Sequence, residues 1–189
     1  MTTIQLDEIV RLIDPALTVK RQMNPSLLKV YEVEKGGNRY VLKVSEPCIL
    51  YEGNAAHISA EREILKIAHD VQGITHLVQD YGNIEGYHAI LKEYFEGKDL
   101  LELGIARGPF MQSAVNILKE ALDRLHSLGF AEIDVKPDNI IISPDGRDAR
   151  IIDLGIYITE SEVGQEKFKQ SVKAENFYLQ RILAHATGE

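Results

Sequence analysis

The apolar residues of this chain change their spacing at Gly97. Before it, short runs bounded by turn residues read as strands at about 16–22, 27–33, 39–45, 75–81 and 86–92. Two groups break those runs: Glu34-Lys35-Gly36-Gly37-Asn38, and Gly82-Asn83-Ile84-Glu85-Gly86. Each predicts a hairpin turn. Helical spacing interrupts the strands twice, over 4–13 and over 55–70. After Gly97 the helical period takes over. Met111, Ala114, Val115, Leu118, Ala121, Leu122, Leu125 and Leu128 make one long stripe over 110–128, which Gly129 ends as a C-cap. Short strands are expected near 139–142 and 149–153. A last helix is expected over 160–185, with Phe168, Val172, Leu179 and Leu183 on one face packed against the 110–128 helix. A β-rich first part followed by an α-rich second part predicts an α+β fold.

Composition narrows the class. With 44% hydrophobic and 26% charged residues, the 189-residue chain reads as a soluble globular protein. No apolar run approaches the roughly 20 residues of a membrane span, and the first residues do not read as a signal peptide. A net charge of −8 argues against nonspecific nucleic-acid binding. Cys48 is the only cysteine, which excludes an internal disulfide and predicts a cytoplasmic location. The six histidines form no close pair with it, so a zinc site is not expected.

The chemistry concentrates in residues 134 to 155. Asp134-Val135-Lys136-Pro137-Asp138-Asn139 is followed by an apolar run, a turn at Pro144-Asp145-Gly146-Arg147, and Ile151-Ile152-Asp153-Leu154-Gly155. Transfer of a phosphoryl group from Mg-ATP needs such a set. One carboxylate orients the acceptor hydroxyl and accepts its proton. An asparagine and a second carboxylate offer oxygen ligands to magnesium, a hard cation. A lysine offsets charge on the moving phosphate. Each of these residues alone could be a loop or cap residue; it is their order along the chain that outweighs that reading.

This segment resembles the catalytic loop and metal-binding motif of the protein-kinase superfamily, with Asp-Leu-Gly in place of Asp-Phe-Gly. The resemblance implies Asp134 as catalytic base, Lys136 as phosphate-charge partner, and Asn139 and Asp153 as magnesium ligands. The family's His-Arg before the aspartate is here Glu132-Ile133. Without that arginine, switching by a phosphorylated activation segment is not expected. Upstream, Tyr40-Val41-Leu42-Lys43-Val44 resembles the strand whose lysine holds the α- and β-phosphates. Two glutamates compete as its partner. At 100° per residue, Glu61 sits amid Ile58, Ile64, Leu65 and Ala68, while Glu63 points nearly opposite. An acid in an apolar face needs a partner, so Glu61 is expected to pair with Lys43 and Glu63 to face solvent.

By the same resemblance, 89–100 matches the linker between lobes. Backbone groups of Glu93 and Phe95 would hold adenine, between Val41 above and Ile141 and Ile152 below. Lys92 falls at the gatekeeper position, where an apolar residue is usual. The implied fold has a β-rich N-lobe with one helix (1–94) and a truncated helical C-lobe (95–189). Two expected parts are missing. No glycine precedes Gly36, where the family has a Gly-rich loop, and the matching Gln22-Met23-Asn24-Pro25-Ser26 would cover phosphates with side chains such as Asn24 and Ser26. Only 34 residues (189 − 155) follow Gly155, too few for an activation segment and peptide-docking helices. In that brevity the chain is similar to minimal Rio-like and KEOPS-associated kinases. The resemblance covers about 16 to 155.

The reading is an ATP- and magnesium-dependent serine/threonine protein kinase, with a protein substrate or presenting partner, no membrane and no nucleic acid. A small-molecule kinase and an ATP-binding pseudokinase stay open as alternatives. The oligomeric state and the role of Glu132 are not readable from the sequence.

Overall fold

The computed structural model describes residues 6–24, 28–45, 52–106 and 112–187. It divides into two compact units. The first comprises residues 1–63 and 76–94, the second 64–75 and 95–189.

The first unit begins with α1 (Leu6–Ile13) and a five-stranded antiparallel sheet. Its strands are β1 (Thr18–Asn24), β2 (Leu28–Lys35), β3 (Asn38–Ser45), β4 (Leu77–Ile84) and β5 (Tyr87–Glu93), in the order β1-β2-β3-β5-β4. Helix α2 (Glu52–Ile67) joins β3 to β4 and belongs to this unit through Glu63. Alternation assigns the sheet's two faces. Tyr31 pairs with Leu42, Leu42 with Leu91, and Val44 with Ala89. These residues are buried in one cluster with Ile9, Val10 and Ile13 of α1, and Leu17 beyond it. Burying those four aliphatic side chains stabilises by roughly 6–12 kcal/mol gross. That is the order of the entropy lost in ordering so short a helix, so α1 depends on the sheet. Its exit is fastened by Asp14, whose Oδ2 accepts from Tyr81 Oη (2.6 Å) and Lys35 Nζ (2.8 Å). Burial opposes ionisation of Asp14, but these bonds outweigh it and hold the carboxyl below its usual range.

The hairpins are tighter than the sequence suggested. Gly36 and Gly37 both have positive φ and alone close β2 to β3, as a two-residue primed turn requires. The β4–β5 turn sits at Glu85-Gly86, also with positive φ, and not across the whole of 82–86. β4 therefore runs on through Gly82 and Asn83. Of the segment matching the Gly-rich loop, Gln22 to Asn24 finish β1, and Pro25 and Ser26 lie outside the described residues. So do Ile4 at the start of the 4–13 helix, Cys48 and Met111.

The second unit contains β6 (Lys98–Asp99), α3 (Leu100–Ala106), α4 (Gln112–Ser127), β7 (Phe130–Ala131), β8 (Ile140–Ile142), β9 (Ala149–Ile151), β10 (Ile158–Thr159), α5 (Glu160–Val163) and α6 (Gln165–Thr187). β6, β8 and β9 form one small sheet, and β10 pairs with β7. The predicted stripe is the buried side of α4: Ala114, Val115, Leu118, Ala121, Leu122 and Leu125. Gly129, at φ +87, ends that helix with its N–H on the His126 carbonyl. Residues 64–75 belong here and not with 1–94. The cause is Gly73 to Thr75. The Gly73 carbonyl accepts from Ile151 N–H, Thr75 N–H donates back to the Ile151 carbonyl, and Ile74 bridges Ile151 in parallel. Gly73 has φ +89, and a Cβ there would lie 2.8 Å from the Cβ of Ala121.

The expected helix over 160–185 is broken by Gly164 at φ +80 into α5 and α6. Phe168, Leu179 and Leu183 are buried as expected, but Val172 is only half-buried. Ser171 and Glu175 take the centre of the buried side. Neither α3 nor β6 is expected from local pattern. β6 is two residues long and is defined by its partner β8.

Candidate active site

In the first unit the sheet face opposite α1 carries the polar chemistry. Glu32 pairs with Val41, Val30 with Lys43, Val41 with Lys92, and Lys43 with Ile90, so Val41, Lys43, Ile90 and Lys92 share one side. β3 lies between β2 and β5, so Lys43 is on an inner strand and not on an edge. Its Nζ lies 2.6 Å from Glu61 Oε2 on α2. Lys43 and Glu61 are both buried, and Glu63 is exposed. Glu61 is therefore the glutamate that meets the β3 lysine. Its other oxygen, Oε1, lies 2.5 Å from the Nζ of Lys92, which is also buried. The sequence reading put Lys92 at an apolar position and missed this contact. The available signal was parity: Lys92 is an even number of residues from Ile90, which pairs with Lys43.

Elsewhere on that face, Glu32 binds Arg21 Nε and Arg39 Nε, each at 2.8 Å. The Arg39 guanidinium lies 3.8 Å from the centre of the Tyr94 ring. Burial works against ionisation of Glu32, but the two arginines hold its pKa below the usual value. Val41 is half-buried. Glu93 donates its backbone N–H to the His76 carbonyl and sets Oε2 3.3 Å from His76 Nδ1.

In the second unit, Asp134, Lys136 and Asn139 converge. Asn139 Nδ2 donates to the Asp134 carbonyl (2.8 Å) and to Asp134 Oδ2 (3.1 Å). Lys136 Nζ meets the same Oδ2 at 2.9 Å. The local sequence builds this corner. Pro137 opens a single 3-10 turn, Pro137–Asn139, in which the Asn139 N–H reaches back to the Lys136 carbonyl. Its fixed φ suits that position. The Asp134 hydrogen bond raises the Lys136 pKa above its ordinary value, against burial, so the amine stays charged. Ile152 N–H donates to the Asn139 carbonyl, which sets the Asp153 segment beside Asn139. Asp153 Oδ1 accepts from Gly155 N–H at 3.3 Å. Because Asn139 spends its NH₂ group on Asp134, its amide oxygen is the atom able to ligate a cation. Together with the Asp153 carboxylate it would offer magnesium the hard oxygens that cation prefers.

Ile141 and Ile152 are half-buried. Ile141 pairs with Arg150, whose guanidinium lies 4.7 Å from the centre of the Phe95 ring. Gly97 passes so close to the Ile142 carbonyl oxygen that no Cβ fits there, which fixes the chain after Phe95 against β8.

Glu132 joins the start of the Asp134 segment to α6. It adopts φ +55, a backbone state unusual for a residue other than glycine. Its N–H donates to Glu175 Oε2 at 3.1 Å, and its Oε1 accepts from Ser171 Oγ at 2.6 Å. His126 Nε2 lies 2.8 Å from the same Glu175 oxygen. The C-terminal end of α4, the entry to the Asp134 segment and the middle of α6 are tied together by this buried carboxylate. The partners stand 43 and 39 positions away in the chain, so the sequence gives no local sign of them. Glu175→Ala is expected to destabilise the protein by about 1–3 kcal/mol, the effect of leaving a buried donor unsatisfied. Glu175→Gln keeps an acceptor oxygen and should lose less in thermal unfolding; equal losses would show that acceptance is not what matters.

Comparison with known proteins identifies one family. The protein kinase domain model matches residues 27–185. The match thus runs through α6, beyond the 16–155 span over which the motifs could be read. The human serine/threonine-protein kinase LATS1 is 30% identical over 127 residues, covering 65% of this chain and 11% of that protein. The human serine/threonine-protein kinase greatwall is 33% identical over 133 residues, covering 68% of this chain and 15% of that protein. Drosophila melanogaster Warts, also named a serine/threonine-protein kinase, is 29% identical over 132 residues, covering 67% and 12%. The chain therefore spans a small part of the length of these relatives, and none of the three is named as a Rio-like kinase. Matched over most of its length, with an Asp-Lys-Asn cluster on one unit and a strand lysine paired to a helix glutamate on the other, this chain belongs to the protein kinase domain family.

Proposed function

We propose that the chain is a serine/threonine protein kinase that uses ATP and magnesium. The observation that carries this reading is the convergence of Lys136 and Asn139 on one oxygen of Asp134. Both contacts fall on Oδ2, so Oδ1 is the oxygen to receive the acceptor's proton. In this reading Asp134 orients the acceptor hydroxyl and takes its proton as the phosphoryl group transfers. Lys136, held charged, offsets negative charge on that group. Lys43, backed by Glu61, holds the non-transferred phosphates. Asn139 and Asp153 would hold magnesium, which neutralises charge on the phosphate oxygens. Glu93, Phe95, Val41, Ile141 and Ile152 are assigned to adenine by resemblance alone.

The names of the relatives favour a protein over a small molecule as acceptor. A partner that presents the substrate, and a cytoplasmic location consistent with the lone Cys48, belong to the same proposal. Among the described residues no helix is long and apolar enough to cross a membrane. An ATP-binding module without turnover is the second reading, favoured by the absence of glycine before Gly36.

The test is calorimetry with ATP at varied magnesium, together with labelled-ATP transfer to a panel of proteins and metabolites. Asp153→Ala should abolish the magnesium dependence of ATP binding. Unchanged dependence would remove Asp153 from the site. Transfer to metabolites alone would overturn the protein-kinase assignment.

A further inference from the structure

Glu61 is fully buried, and each of its carboxylate oxygens meets a different buried lysine: Oε2 meets Lys43 at 2.6 Å and Oε1 meets Lys92 at 2.5 Å. The lysines project from neighbouring strands, in line with the pairings of Lys43 with Ile90 and Val41 with Lys92. They stand on a diagonal on the same side of the sheet. Burying an ammonium is costly unless it is paired. One lysine already pairs with this carboxylate, and an unbranched apolar side chain would fill the second place without a charge. The second charge therefore calls for a role of its own.

The phosphate-binding role proposed for Lys43 supplies one. A lysine that binds phosphate while also holding a glutamate must divide its three N–H donors between them. As it turns toward phosphate, its hold on the carboxylate weakens. We propose that Lys92 is a positioning residue that holds Glu61, and with it α2, while Lys43 is given over to nucleotide phosphate. Because the two lysines use different oxygens, one can shift without displacing the other. α2 is then anchored through β5 as well as β3, and Glu61 keeps its place whether or not Lys43 is engaged elsewhere. This role rests on the phosphotransferase reading; the anchoring of Glu61 by Lys92 does not.

The experiment has two arms on the full chain. In the first, Mg-ATP binding and steady-state kinetics are compared for wild type, Lys92→Met and Lys92→Arg. Lys92→Met should bind Mg-ATP roughly tenfold more weakly, the scale of one hydrogen bond to a charged group, because Lys43 is then drawn to Glu61. KM for ATP should rise with kcat little changed, and Lys92→Arg should recover most of the loss. Wild-type affinity and KM in Lys92→Met would overturn the proposal. In the second arm, amide hydrogen exchange across α2 is followed in Lys43→Met and in the Lys43→Met/Lys92→Met double variant. α2 should stay protected in the first and lose protection in the second. Loss of protection in Lys43→Met alone would overturn the anchoring, and Lys43→Met set against wild type decides the matter if the variants lacking Lys92 do not fold. A wild-type chain that binds no Mg-ATP, yet keeps α2 protected in Lys43→Met, would sink the phosphotransferase reading and leave the anchor standing.

Discussion

Replacing Asp134 with asparagine is expected to lower phosphoryl transfer by roughly 10²–10⁴-fold, the range for loss of a general base, while leaving Mg-ATP affinity unchanged. The substitution keeps the shape of the side chain. It keeps one oxygen to accept from Lys136 or Asn139, the two groups now on Oδ2. What it removes is the capacity to take a proton. Single-turnover transfer from labelled ATP reads this directly, and calorimetry supplies the control. Equal transfer by wild type and variant would remove Asp134 from the chemistry. No transfer by either, with ATP bound by both, would favour the module without turnover.

The other large effect is structural. Glu61→Leu should destabilise the first unit by about 3–5 kcal/mol, as when one partner of a buried ion pair is removed. Leucine fits the apolar side of α2 but takes away the carboxylate that two buried ammoniums contact. The matching exposed change, Glu63→Leu, should move stability by no more than about 0.5 kcal/mol. Thermal or urea unfolding of the two variants compares neighbours on one helix that differ only in the side they face. Similar losses from both would show that the ion pairs carry little of the stability.

Where alternation or helical period was strong, the sequence could be read directly. β2, β3, β5 and α4 fall within a few residues of expectation, because each buries one regular side against a core. The choice of Glu61 over Glu63 was legible for the same reason: a single acid in an apolar stripe has few explanations. Features set by a distant partner were not. β6 exists because β8 lies beside it. Residues 64–75 join the second unit because Gly73 to Thr75 bond to Ile151, and nothing local to Gly73 announces that. The middle of α6 was expected to be apolar at Val172. The buried side there belongs to Ser171 and Glu175, whose use appears only once Glu132 and His126 are in place. Lys92 was hidden by the resemblance itself, since the family's usual residue at that position is apolar.

The two-residue turn at Gly36-Gly37 has a consequence for how this protein can vary. With Lys35 paired to Asn38, every residue of β3 inherits its side of the sheet by counting from that turn. Odd positions 41 and 43 lie on the side that faces Glu61, while even positions 42 and 44 lie in the core against α1. A slip of one position would press the lysine ammonium into the aliphatic cluster and turn Leu42 toward the polar side; a slip of two would restore both faces but carry Lys43 roughly 6.6 Å along the strand, away from Glu61. The hairpin is therefore closed to odd steps by the two faces of the sheet and to even steps by the place of Glu61, so two glycines in a turn set the register of a buried ion pair.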